Sequence, residues 1–170
     1  LQDYLKRRGR LHAQGKTIAL IYGVGAVSRG EGGYSPFSGE EVMGGGRVTP
    51  AFRSAIHDPA VKAILFRVHS PGGSYVAWDA IWRETIRAKK AGKPVVVSMG
   101  NLAGSGGYFV AMAADKIVAQ PGTITASIGV LGGKMLTSDF WDKLGLSWDE
   151  VHTSANSMFW TGTHDYSTEG

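Results

Sequence analysis

The sequence predicts an α/β domain with a mostly parallel sheet. Two observations carry this. Short apolar, β-branched runs alternate with segments of helical periodicity along most of the chain. Two of the strand runs, 62–68 and 94–99, are largely apolar, as expected for a sheet covered on both faces. The length of 170 residues suffices for one domain with a real core, and 43% hydrophobic against 19% charged residues separates the chain from a disordered one.

Taken in order, residues 1–16 read as a basic helix or linker, with Lys6, Arg7, Arg8, Arg10 and Lys16. Such a run is most often a solvated face, and a net charge of +4 is too mild to indicate nucleic acid. Thr17–Val24 is a strand. Residues 28–46, rich in Gly, Ser and Glu, show no period and read as a mobile loop. A helix over 48–57 follows, with Thr49 as N-cap and Pro50 at its first position. The strand at 62–68 leads through Ser70-Pro71-Gly72-Gly73-Ser74 into a helix over 75–91. Trp78, Ile81, Trp82 and Ile86 share one face of it, as core residues do. The strand at 94–99 leads through Gly104-Ser105-Gly106-Gly107 into an apolar helix over 108–114. Short strands at 116–119 and 127–130 and a helix over 138–144 closed by Gly145 complete the pattern. The expected organisation is a linker (1–16), a catalytic domain (17–153) and a tail (154–170).

With no cysteine, disulfides, thiolate catalysis and Cys-zinc sites are excluded. No pair of histidines or carboxylates has metal-ligand spacing, so no metal or cofactor is expected. No apolar run approaches the ~18 residues of a membrane-spanning helix, and the polar start is unlike a signal peptide.

The chemistry concentrates in the two glycine-rich corners. Each has the form strand, corner, helix start, where backbone N–H groups are unpaired. Two such corners side by side aim two N–H groups at one developing oxyanion. Ser105 sits at the second helix start between glycines that leave its hydroxyl uncovered. The N–H of Gly106, with that of Gly73 or Gly72, would face the same carbonyl oxygen. The same features also suit a plain N-cap serine or an anion-binding helix start. Neither corner carries the spacing of a nucleotide-binding loop.

These residues resemble the signal peptide peptidase A (protease IV) family. The matching pieces are VKAILFRVHSPGGS, GKPVVVSMGNLAGSGGYFVAMAADKIVA and PGTITASIGV, in order and at compatible separations. The resemblance implies a Clp protease/crotonase-like fold of stacked ββα units and a serine endopeptidase working through a Ser/Lys dyad. Ser105 matches the nucleophile; Gly106 and Gly73, with Gly72 as alternate, match the oxyanion hole. His69 stands where Asn is usual, Gly104 where Ala is common and Ala126 where Gly is common.

The family's lysine has no counterpart here. In short members it follows the Ser-Ile-Gly segment by several dozen residues, near a Tyr-Lys pair, and Met158 stands about there. In long members an amino-terminal domain supplies the lysine and a carboxy-terminal domain the serine, and this chain looks like the second. The base is therefore expected outside these residues, with Lys134 a weak alternative. His69 precedes the first corner but is more often a packing residue, and Lys116 is expected to face solvent. The resemblance further implies peptide substrates such as cleaved signal peptides, self-association, and membrane attachment through other regions, on the periplasmic side of a bacterial inner membrane. The competing functions are a crotonase-like acyl-CoA enzyme and a catalytically silent scaffold. The first would place an acid near the second corner, and none lies between Gly100 and Ala114.

Overall fold

The computed structural model describes residues 16–36, 39–129, 132–154 and 156–166. The chain divides into two compact units, one ending at Gly129 and one beginning at Val130. The basic segment expected as a helix or linker lies, apart from Lys16, outside the described residues.

The first unit is built on strands β1 (Thr17–Val24), β5 (Val61–Ser70), β6 (Val95–Gly104), β7 (Lys116–Val118) and β8 (Ile124–Ala126). Every pairing among them is parallel. The order is β1-β5-β6-β7, and β8 also pairs with β6. β7 lies along residues 96–98 of β6 and β8 along 102–104, so β8 follows β6 into the second corner. Helices α1 (Gly45–His57) and α2 (Tyr75–Lys90) form the crossovers between the long strands. Phe66, Val68, Val95 and Val97 are fully buried together with Phe52 of α1 and Ile81 of α2. The Phe52 and Phe66 rings meet edge to face at 5.1 Å.

The largely apolar runs in β5 and β6 suggest two covered faces, but burial along them alternates. On the other face of the sheet Ile18, Leu20 and Tyr22 of β1 are more than half exposed. The β-branched residues there serve strand propensity without full burial.

The expected loop at 28–46 is instead a small sheet. Strands β2 (Ala26–Ser28), β3 (Gly32–Ser35) and β4 (Glu40–Gly44) pair in the order β2-β4-β3. Glycine hides this sheet from periodicity because the backbones approach too closely for side chains: a Cβ on Gly44 would overlap the Glu31 carbonyl. The strand expected at 127–130 lies earlier, as β8. Helix α1 starts at Gly45 rather than beside Thr49, whose hydroxyl donates to the Gly45 carbonyl (2.8 Å) within the helix. Pro50 therefore lies inside the helix, not at its first position. The helix α3 (Gly106–Phe109) begins two residues earlier than its apolar run suggests and continues only as turns. Helix α2 and its Ala91 cap fall where the spacing places them.

The second unit holds α4 (Ser138–Lys143), with Gly145 just beyond it at φ +71°. Thr137 organises it: its N–H and hydroxyl both donate to the Gly162 carbonyl, and its hydroxyl oxygen accepts from the Trp141 indole (3.0 Å).

Two charged groups brace the first unit. Glu84 of α2 is 1% exposed; one carboxylate oxygen accepts from Arg53 of α1 (2.8 Å) and from Arg87 (2.5 Å). Glu84→Ala removes this tie between helices and is expected to cost about 2 kcal/mol, because both arginines return largely to water. Urea unfolding checks this; an unchanged midpoint contradicts it. Asp115 accepts the Val95 N–H (2.8 Å) at the start of β6. That hydrogen bond first, opposed by desolvation and aided by Lys89 at 3.4 Å, holds its carboxyl below the ordinary value. A lowered folded pKa stabilises above the unfolded value of about 3.9 and is lost as pH falls through the folded one. Asp115→Asn is expected to lower Tm at pH 7, with the gap from wild type closing as the solution is acidified below about pH 3.9. Thermal melts across pH check this, and a gap that persists in acid contradicts it.

Candidate active site

β5 and β6 are adjacent and parallel, so the corners that follow them open on the same sheet end. In the first corner Ser70 is fully buried and its hydroxyl oxygen accepts the Gly72 N–H at 3.1 Å. Gly72 (φ +98°) and Gly73 (φ +146°) then take conformations that side chains disfavour. β2 holds this corner from outside: Val27 donates to the Gly72 carbonyl and accepts from the Ser74 N–H, both at 2.8 Å.

In the second corner Ser105 has φ 49° and ψ −121°, a high-energy conformation for a residue with a side chain. Its N–H donates to the Ala126 carbonyl at 2.7 Å. Its own carbonyl accepts from Tyr108 and Phe109, each at 3.0 Å, closing the first turn of α3. The side chain is half-buried, and among the described residues its hydroxyl has no hydrogen-bond partner.

The corners touch. A Cβ built on Gly72 would lie 2.7 Å from both the Gly106 nitrogen and the Ser105 Cβ. Gly107 is pressed as closely on Ser70, where a Cβ would lie 2.6 Å from the carbonyl oxygen. Of the backbone donors here, the Gly72 N–H is occupied by Ser70. Those of Gly73, Gly106 and Gly107 meet no acceptor among the described residues. The structure thus brings Ser105 and Gly106 against Gly72, and leaves the N–H of the adjoining Gly73, unlike that of Gly72, without an acceptor among the described residues.

The other candidates fall elsewhere. The His69 ring lies against Gly100, whose added Cβ would meet Nδ1 at 2.7 Å, and its carbonyl accepts from Gly25. Lys116 is exposed in β7. Lys134 belongs to the second unit. Its Nζ is buried, has no hydrogen-bond partner among the described residues, and stands 4.4 Å from the Tyr166 ring centroid. His152 and His164 of the same unit lie 3.5 and 3.3 Å from Glu150. Among the described residues no group of three His, Asp or Glu is placed to hold a metal.

Sequence reading missed the brace behind Ser105. Ala126 (φ 66°) and Ser127 (φ 51°) are, with Ser105, the non-glycine residues of positive φ among those described. The available signal was an alanine at 126 where resembling sequences commonly carry glycine, the residue that φ favours.

An all-parallel sheet whose crossover helices leave two contiguous glycine corners at one end defines an α/β protein. Residues 87–170 match Peptidase family S49. Protease 4 of Salmonella typhi is 44% identical over 140 residues, 82% of this chain and 22% of that protein. Protease 4 of Haemophilus influenzae is 41% identical over 137 residues, 81% of this chain and 21% of that protein. Among solved structures, a ClpP1 mutant from Listeria monocytogenes superposes with a TM-score of 0.38 at 19% identity, covering 57% of this chain and 46% of that one. The chain belongs to peptidase family S49. It spans about a fifth of the length of the curated relatives it matches.

Two glycines test the corner geometry in opposite directions. Gly72→Ala adds both a positive-φ penalty and a clash with backbone, and is expected to destabilise by about 2 kcal/mol or more. Gly104→Ala meets its nearest atoms at 3.5 and 3.7 Å, ordinary contact, and is expected to stay within about 0.5 kcal/mol of wild type. Thermal melts of the pair check this; equal losses contradict it.

Proposed function

We propose that this chain is the nucleophile-bearing domain of a serine endopeptidase of the signal peptide peptidase type. One observation carries the reading: Ser105 is held at positive φ with its hydroxyl unpartnered among the described residues, beside the acceptor-free Gly106 N–H and against Gly72 of the first corner. A serine that only capped a helix would place its oxygen on an N–H of α3, and Ser105 makes no such bond.

The Ser105 Oγ attacks the substrate's carbonyl carbon as its proton passes to a neutral amine. The carbonyl oxygen gains the negative charge and receives the N–H groups of Gly106 and Gly73. Collapse of this intermediate expels the amine product, which takes the proton, and leaves an acyl-enzyme that water hydrolyses. Gly72 contributes by its lack of a side chain and not by its N–H. The amine is a lysine supplied from outside this chain, as in tandem-domain relatives where the carboxy-terminal domain bears the serine. Lys134 is the weaker alternative within the chain. Substrates are peptides, including cleaved signal peptides. The whole protein self-associates and is attached to a membrane through other regions, on the periplasmic face; no helix among the described residues is long and apolar enough to cross one.

In the full-length protein, Ser105→Ala is expected to reduce peptide cleavage by at least about 10³-fold while leaving the unfolding transition in place. The 170-residue chain by itself is expected to show no comparable turnover. Wild-type cleavage by the Ser105 variant contradicts the nucleophile. Full turnover by the isolated chain contradicts the external base, and its loss on Lys134→Met would move that role to Lys134.

A further inference from the structure

We propose that Trp78 is a positioning residue for the acyl-transfer site, its indole ring holding the Gly106 peptide, and with it the Gly106 N–H, in place against the first corner. This rests on the reading of Ser105 and Gly106 given above.

Helix α3 is four residues long and opens on two glycines, so its own hydrogen bonds do little to fix the first peptide. Something outside it must. Trp78 stands in the first turn of α2, and its N–H donates to the Ser74 carbonyl at 3.0 Å, which anchors it to the first corner. Its ring reaches the second corner. A Cβ added to Gly106 would overlap the indole Cδ1 and lie 3.1 Å from Cγ and 3.2 Å from Nε1. The same ring lies on Phe109, the last residue of α3, with centroids 3.7 Å apart, and meets Tyr75 edge-on at 4.6 Å. Trp82 supports Phe109 from the next turn of α2. Both ends of α3 thus rest on one side chain whose backbone belongs to the other corner. The indole N–H has no acceptor among the described residues, so packing is what locates the ring. Trp78 is only half-buried, unlike Ile81 one turn on, which is fully buried in the core. A misplacement of about 1 Å in such a donor is enough to cost about 10²-fold in rate.

The test uses the full-length protein, a peptide substrate, and two inhibitors: a peptide boronic acid, whose tetrahedral adduct places an oxygen at the donors, and the peptide product. Trp78→Leu is expected to lower kcat by about 10²-fold with KM changed less than about 3-fold. Boronate affinity falls in step with kcat, and product affinity holds. Trp78→Phe, which keeps a ring on Phe109, retains kcat to within about 10-fold. Gly106→Ala drives a methyl into the indole and lowers kcat; combined with Trp78→Leu it loses less than the product of the two single losses, because the smaller side chain makes room. Unchanged kcat, parallel loss of boronate and product affinity, or strictly multiplicative losses in the double variant would overturn the proposal. Ser105→Ala is run alongside. If cleavage survives it, the reading of the site fails and Trp78 with it. If cleavage is lost there while the Trp78 variants keep kcat, only the Trp78 inference fails.

Discussion

Gly72 lies so close to the second corner that any side chain would strike the Gly106 nitrogen and the Ser105 Cβ together. The surrounding architecture serves that contact. Parallel pairing of β5 with β6 brings the strand ends to one level, and a register shift between Val68 and Ser70 adjusts the approach. The small sheet pins the first corner through Val27, and β8 pins the second through the Ala126 carbonyl. Neither corner is stable by its own sequence. Ser105, Ala126 and Ser127 all occupy left-handed conformations costing of order 1–3 kcal/mol each, held in place by the packed strands around them.

This concentration of strain has a chemical consequence. In an ordinary helix start a serine turns its oxygen onto the first-turn amides. Here the Ser105 side chain makes no cap bond to α3, and the Gly106 amide meets no acceptor among the described residues. On the proposed reading, hydroxyl and donors are arranged before any substrate arrives, so little reorganisation accompanies charge development. Ser70 adds selectivity among the donors by engaging the Gly72 N–H and leaving that of Gly73.

Much of this was legible in the sequence because corners and strands are carried by local signals. β1 follows from its apolar, β-branched run, α2 from helical periodicity, and the place of Ser105 in the second corner from the glycines around it. What was not legible arises from long-range contact. The strands of residues 26–44 carry glycines for close backbone approach, which erases the alternation that marks a strand. The start of α1 at Gly45 overrides Thr49 and Pro50, local signals that point four to five residues later. Gly73 and Gly72 stay equivalent until the Ser70 hydroxyl is placed in space. Trp78 reads as core from its helical face, and only the fold reveals the glycine against its ring.

The central claim is that the Gly73 and Gly106 amides converge on the oxygen of a carbonyl attacked by Ser105. The most direct measurement is a crystal structure of the full-length protein with a peptide boronic acid bound. The account predicts a covalent bond from the Ser105 Oγ to boron and one boronate oxygen within about 2.7–3.1 Å of both amide nitrogens. A boronate attached elsewhere, or one whose oxygens all point away from those two amides, would contradict it.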